Sequence, residues 1–254
     1  MTALKLLILG GSGEAADLAR ALDGDARYDV TLSLAGRTSE PVALPGKLLT
    51  GGFGGAEGLA RVLGEERFDA VIDATHPFAV QMKGNAVKAG KIAGTKFLAI
   101  RRPPWVQREG DRWIMVTSLE AAAAAIGEDK RRVFLTTGRM ELAPFRSAPQ
   151  HLYIVRSVEA PSPAELPPRV ELITARGPFN FDDERALLDA HKIEVIVTKN
   201  SGGAGAAAKL DAARALSLPV IMVERPDLPE APSVETVADA LLWLEHAHGS
   251  TSSA

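Results

Sequence analysis

Leu4-Lys5-Leu6-Leu7-Ile8-Leu9-Gly10-Gly11-Ser12-Gly13-Glu14-Ala15 opens the readable part of this chain, and its reading decides the fold. An apolar run of strand length ends at a glycine cluster. Ala15, Leu18, Ala19 and Leu22 then follow at the i, i+3, i+4, i+7 spacing of one helix face. A strand, a tight glycine turn and a helix start are the parts of a phosphate-binding βα unit. Glycine lets the backbone approach a ligand closely, and the helix start attracts an anion. The competing reading is a tight turn that binds nothing, and the turn alone does not choose between them.

The pattern continues outward from this stretch. Strand signals at residues 28–33, 47–50, 68–74 and 97–100 alternate with helix signals, among them 80–93 and a helix carrying Leu59, Val62 and Leu63. Such alternation marks a parallel α/β sheet. Arg101-Arg102-Pro103-Pro104-Trp105 interrupts it, since paired prolines cannot continue a helix and sit badly in a central strand. We place a domain boundary there, giving domains 1–103 and 104–254, with part of 105–116 free to cross between sheets. Beyond it, strands are expected at 133–137, 152–157, 171–176, 194–199 and 219–224. Helices are expected at 119–126, 139–145, 181–192, 204–216 and 234–246, the last with Ser233 as N-cap, and the small polar end 249–254 is expected to fray. The fold class read from this is α/β, two Rossmann-like domains with parallel sheets.

Composition narrows the partners. The 254 residues carry a net charge of −3, with 46% hydrophobic residues and no cysteine. Nucleic acid receives no electrostatic support, and disulfides, thiolate nucleophiles and Cys-ligated metals are excluded. His76, His151 and His191 lie far apart in the chain, and His246 and His248 diverge on a helix, so no metal is expected. No apolar run reaches the ~18 residues of a membrane span, and Leu4–Leu9 runs straight into the glycine turn, unlike a signal peptide. A cytoplasmic protein, monomeric or weakly oligomeric, is the expectation.

The cofactor can be narrowed at the second strand. A site for NAD usually carries Asp or Glu at its end for the ribose 2′-hydroxyl. Here Ser33, Arg37 and Thr38 stand there with no carboxylate before Glu40. A guanidinium and hydroxyls suit a 2′-phosphate, so NADPH/NADP is preferred, with a solvated loop arginine as the alternative for Arg37. No Gly-Lys-Ser/Thr follows the turn, which excludes a Walker A loop. Glu14 suits the helix dipole but is a like charge to a diphosphate, so its side chain is expected to point away.

Ligands of open α/β sheets bind beyond the carboxyl ends of the strands, where the unusual residues collect. Asp73-Ala74-Thr75-His76-Pro77-Phe78 ends the fourth strand. Thr75 and Pro77 are expected to shape the cofactor site. His76 stands open between a proton donor or ring-orienting group and a structural histidine. Thr136-Thr137-Gly138-Arg139, Arg176-Gly177-Pro178-Phe179 and Thr198-Lys199-Asn200-Ser201-Gly202-Gly203 follow strands of the second half. With Lys209 they bring four cations and several hydroxyls, expected to aim at one cleft for a polyanionic substrate. The Tyr-x-x-x-Lys pair of short-chain dehydrogenases is absent, because Leu32 and Ser157 stand four residues after Tyr28 and Tyr153.

The ordered motifs GGSGEA (10–15), SLAGRT (33–38), GGFGG (51–55), DATHPFA (73–79), TTGR (136–139), RGPF (176–179), TKNSGG (198–203) and VERP (223–226) resemble the precorrin-6A reductase family of cobalamin biosynthesis across residues 4–246. The resemblance implies NADPH-dependent reduction of precorrin-6A to precorrin-6B, with hydride to a macrocycle carbon beside ring D and a substrate cleft between two Rossmann-like domains. The substrate is then a tetrapyrrole polycarboxylate, metal-free or cobalt-bearing. It further implies roles. Gly10, Gly11, Ser12, Gly13, Glu14 and Ala15 hold the pyrophosphate, and Ser33, Arg37 and Thr38 hold the 2′-phosphate. Thr75, His76 and Pro77 line the nicotinamide end. Thr137, Arg139, Arg176, Lys199, Asn200, Ser201 and Gly202 meet substrate, with His76 and Lys199 the first candidates for a catalytic acid. The alternatives are a non-enzymatic NADPH- and tetrapyrrole-binding protein and, less favoured, a sugar-nucleotide transferase.

Overall fold

A computed structural model describes residues 3–34 and 43–251. The first stretch forms β1 (Leu4–Leu9), α1 (Gly13–Ala21), β2 (Tyr28–Leu34), β3 (Lys47–Thr50), α2 (Ala56–Glu65), β4 (Ala70–Asp73), α3 (Val80–Ala93) and β5 (Lys96–Ile100). It continues with β6 (Arg112–Val116), α4 (Leu119–Ala125), β7 (Arg132–Leu135), β8 (Leu152–Ser157), β9 (Val170–Thr174), α5 (Phe181–Ala190), β10 (Val195–Lys199), α6 (Ala208–Ala215) and β11 (Pro219–Val223). The last elements are β12 (Ser233–Val234) and α7 (Val237–Thr251). No helix among the described residues is long and apolar enough to cross a membrane.

Two units result: residues 1–103 with 227–254, and residues 104–226. The expected second domain therefore ends earlier than residue 254. The physical reason is in the last two elements. Ser233 and Val234 pair in parallel with Ala99 and Ile100 at the edge of the first sheet. Ala240, Leu244 and Ala247 of α7 pack into the same apolar cluster as Leu18 and Leu22. Ser233 is thus a strand residue and not a helix cap. Thr236 takes that role, its Oγ1 accepting from the Asp239 N–H at 3.1 Å.

In the first unit the sheet order is β12-β5-β4-β1-β2-β3, all parallel. Strand side chains alternate between faces. Leu4, Leu6 and Ile8 of β1 join the cluster with α1 and α7, whereas Leu7 and Leu9 join Leu59, Leu63, Ala86 and Ala89 of α2 and α3. A strand covered on both faces reads as a continuous apolar run, which is how β1 reads. Each such leucine removed from water contributes about 1.5–3 kcal/mol.

In the second unit the order is β6-β11-β10-β7-β8-β9, again all parallel. Phe134, Ile154, Ile196, Val220 and Met222 pack with Leu188 and Leu210 of α5 and α6. The helix expected at 139–145 is a 3-10 turn, Ala143–Ser147, because Gly138 takes φ +111° and Pro144 stands at the start of the turn. Residues of 105–116 end in β6, the edge strand beside β11.

Lys209 does not face a ligand, contrary to expectation. It is 3% exposed, its Nζ donates to Ala206 O at 2.7 Å, and it lies 4.8 Å from the centre of the Trp105 ring. Burial, reinforced by the Arg156 charge and opposed by Glu184, pushes its pKa from 10.5 down to about 7. Between those two values the unfolded chain binds more protons than the folded one, so stability rises with pH across that window. Lys209→Met should flatten that rise in thermal melts taken from pH 7 to 10. Parallel curves for the two proteins would assign the rise to other groups.

Candidate functional site

Each sheet has one place where the chain, having built outward on one side, returns to build on the other. Ligands of open α/β sheets bind at the carboxyl ends of the strands flanking that place. In the first unit it lies between β1 and β4; in the second, between β10 and β7. Both crevices are flanked by residues singled out above.

At the first crevice, Gly10 N–H donates to Ser33 O at 2.8 Å, pressing the turn against β2. A Cβ on Gly10 would stand 3.0 Å from both Leu32 Cδ1 and Leu34 Cδ2 and 3.2 Å from Ser33 O, so a side chain there fits only if these neighbours give by a few tenths of an ångström. Ser12 caps α1: its Oγ accepts from Ala15 N–H at 3.2 Å and donates to Ala74 O at 2.6 Å, joining the β1 and β4 loops. Glu14 in the first turn pairs with Arg102 at 2.5 Å, with 22% and 16% of the two side chains exposed. Burial acts to raise the Glu14 pKa, but Arg102, the Glu14 backbone N–H and Ser12 together hold it below the usual carboxylate value. Glu14 thus turns to a cation placed just past β5. Ser33 is 5% exposed near the end of β2, and Arg37 and Thr38 lie outside the described residues.

The β4 loop is built on a buried ion pair. Asp73 Oδ1 accepts from Thr75 N–H at 3.0 Å and Thr75 Oγ1 at 2.6 Å. Lys83 Nζ lies 3.2 Å from Asp73 Oδ2 and donates to Thr75 O at 3.2 Å. Both charged side chains are 2% exposed. Burial pulls the Lys83 pKa down, and the Asp73 carboxylate opposes that pull. With its hydroxyl committed to Asp73, Thr75 offers the site its backbone and shape. His76 Nδ1 accepts from Phe78 N–H at 3.3 Å, so in the neutral ring the proton sits on Nε2. A cleft beside this loop is walled by Gly10, Ser33, Gly52, Phe53, Thr75 and Met82.

At the second crevice, Leu135 pairs with Val197 and the Thr136 N–H donates to Val197 O at 3.1 Å, so Thr137 and Lys199 each lie just past this end of the β7–β10 ladder. Thr137 is 3% exposed and its Oγ1 has no hydrogen-bond partner among the described residues. Lys199 Nζ pairs with the Glu141 carboxylate, and Arg139 pairs with Glu159 at 2.8 Å. Arg176 is exposed past the edge strand β9. Its loop folds back, however: Phe179 N–H donates to Gly205 O at 3.3 Å, next to the loop that begins at Lys199.

Asn200 corrects the expectation of a substrate contact. Its Oδ1 accepts from Trp105 N–H at 2.8 Å and its Nδ2 donates to Trp105 O at 3.0 Å, so both amide atoms hold the loop to the 104–226 unit's first residues. Arg225 of the VERP motif completes the frame, its Nε donating to Asn200 O at 2.8 Å and its Nη2 to Ser201 O at 3.0 Å. Sequence reasoning gave no role to Arg102, Lys83, Glu141, Glu159 or Arg225. Arg225 lay in the quoted VERP motif, and Lys83 left a signal as a lysine in register with buried Ala86, Val87 and Gly90 on one stripe of α3. The others act across loops whose approach no local pattern encodes.

The precorrin-6x reductase CbiJ/CobK family matches residues 5–245. A precorrin-6A reductase of Sinorhizobium sp is 48% identical over 242 residues, covering 95% of this chain and 93% of that protein. One from Rhodobacter capsulatus is 45% identical over 247 residues, covering 97% and 98%. A cobalt-precorrin-6A reductase of Priestia megaterium is 30% identical, covering 88% and 91%. A solved structure described as CobK precorrin-6A reductase superposes with a TM-score of 0.91 at 45% identity, covering 96% of each chain.

Proposed function

The chain belongs to the precorrin-6x reductase family, an oxidoreductase family of cobalamin biosynthesis, and from that premise we propose that it reduces precorrin-6A to precorrin-6B with NADPH as the hydride donor. Membership sets aside the non-enzymatic binding protein and the sugar-nucleotide transferase. The metal-free tetrapyrrole is the substrate favoured, because relatives at 43–48% identity bear the precorrin-6A name and those at 24–30% bear the cobalt-precorrin-6A name.

The observation that carries the cofactor assignment is the Gly10 turn, which packs closely on β2 and which Ser12 ties to Ala74. A backbone held this bare at the start of a helix fits a diphosphate. Gly10, Gly11, Ser12, Gly13 and Ala15 would hold it. Ser33, Arg37 and Thr38 would hold the 2′-phosphate, and Thr75, His76 and Pro77 would line the nicotinamide end. Bound there, NADPH would supply the hydride for a macrocycle carbon beside ring D, and the adjacent carbon would take a proton. His76, with its proton on Nε2, and Lys199 are the candidates for holding that proton. Thr137, Arg139, Arg176, Lys199, Ser201 and Gly202 would meet the carboxylate arms and the macrocycle rim, orienting a ligand whose chemistry is the cofactor's.

The test is to mix the protein with NADPH and precorrin-6A and follow loss of nicotinamide absorbance, with cobalt-precorrin-6A in a parallel reaction. No oxidation with either tetrapyrrole would overturn the assignment. For the cofactor, Arg37→Ala should weaken NADPH by about 1–3 kcal/mol while leaving NADH nearly unchanged. An equal loss for both would remove Arg37 from the 2′-phosphate.

A further inference from the structure

We propose that Glu141 is an internal competitor for the substrate's carboxylates: it holds the Lys199 ammonium until a carboxylate of the tetrapyrrole takes its place, and so sets how strongly the site selects a polyanion. This rests on the reading of Lys199 as a substrate contact.

The two partners are unequal. Lys199 is the last residue of β10, paired with Val223 of β11, and only 13% of its side chain is exposed. Glu141 is 34% exposed and stands in a turn, its N–H donating to Gly138 O at 3.3 Å, outside any helix or strand. A half-hydrated carboxylate on a turn can leave for water at little cost. A mostly buried ammonium loses its partner only at a large cost. Exchange of one carboxylate for another keeps Lys199 paired throughout. A neutral ligand, by contrast, would have to strand one of the two charges.

The neighbouring pair is arranged the other way. Arg139 is 32% exposed and Glu159 is 19% exposed, so there the cation is the outer partner. A guanidinium has five N–H donors and can keep Glu159 while meeting a second carboxylate. Glu159 therefore orients Arg139, whereas Glu141 must yield. Thr137, two residues past the end of the adjoining strand β7, supplies a buried hydroxyl for which no partner is present among the described residues. An incoming carboxylate thus finds an ammonium at the end of β10 and a hydroxyl just past the end of β7, the strand that pairs with it.

The consequence is a weakened apparent affinity. If Lys199 is held by Glu141 for most of the time, the site's intrinsic affinity is reduced by the fraction in which it is open. The measurement is the dissociation constant of precorrin-6A for the full chain loaded with NADP, in four proteins: parent, Glu141→Gln, Lys199→Ala and the double variant. Glu141→Gln should tighten binding on the order of three- to tenfold. In the Lys199→Ala background the same change should do nothing, because the competition has lost its object. Weaker binding by Glu141→Gln, or an equal effect in both backgrounds, overturns the proposal. Lys199→Ala weakening the ligand while Glu141→Gln changes nothing removes Glu141 alone and leaves Lys199 a substrate contact. Lys199→Ala with unchanged affinity removes both.

Discussion

Lys83→Met is expected to destabilise the protein by about 3–5 kcal/mol, the cost of breaking one side of a buried ion pair. For a chain of this length that corresponds to a fall in melting temperature on the order of 10 °C. The argument is geometric. Lys83 and Asp73 are both 2% exposed and lie 3.2 Å apart. Without the ammonium, the Asp73 carboxylate keeps only the two donors of Thr75, and Thr75 O loses its donor from Lys83. The loss reaches the site as well, since Thr75 and His76 follow directly on that carboxylate, and NADPH affinity should fall with stability. Adding Asp73→Asn removes the orphaned charge and should recover much of the stability. Thermal melts of the three proteins check this. A loss below about 1 kcal/mol for Lys83→Met would mean that the carboxylate finds water or a proton without cost.

Gly58→Ala should be the second severe change, and its sign runs against intuition. Glycine inside a helix normally gives way to alanine with a gain of about 0.5–1 kcal/mol. Here a Cβ on Gly58 would lie 1.7 Å from Phe53 O and 2.9 Å from Phe53 C, a backbone carbonyl that no rotamer change can move. Either α2 or the loop of Phe53 must shift by more than an ångström. Overpacking costs about 1–3 kcal/mol, occasionally more, and a rigid carbonyl puts Gly58→Ala at the upper end. Phe53 also walls the cleft with Gly10 and Thr75, so NADPH binding should weaken beyond the loss of stability. Gly64, in the same helix with nothing within 4 Å of its Cβ, is the control: Gly64→Ala should stabilise. Similar melting temperatures for the two variants would show that the close approach carries no cost.

The elements most legible from sequence are those whose signal is local and long. β1 read as an apolar run because both its faces are covered. α1 read from its spacing, its Ser12 cap and the glycines before it. The doubling of the α/β pattern and the break at Arg101–Trp105 were equally local, and the first unit does give way to the second after Pro103. The errors share a cause. β12 has two residues, one of them serine, and exists only because β5 offers an open edge more than a hundred residues earlier. A segment that short has no pattern of its own, so Ser233 looked like a helix cap. Asn200 and Lys209 looked like ligand-facing polar residues because a sequence shows a side chain's chemistry and not its direction. Trp105 decides both: its backbone takes the Asn200 amide and its ring covers the Lys209 ammonium.

For the site, the sequence by itself determined the kinds of group available: a glycine turn before a helix, hydroxyls and an arginine after the second strand, and cations after the later strands. It determined them because backbone conformation, helix capping and charge are properties of neighbouring residues. Tertiary structure alone decided which of these groups meet. Strand order puts the β1 turn beside the β4 loop and Thr137 beside Lys199, and it gives Lys199, Arg139 and Glu14 the charge partners Glu141, Glu159 and Arg102. Those pairings join residues up to 88 positions apart. The contact energy that selects them belongs to the packed sheet and helices, and no stretch of the chain carries it alone.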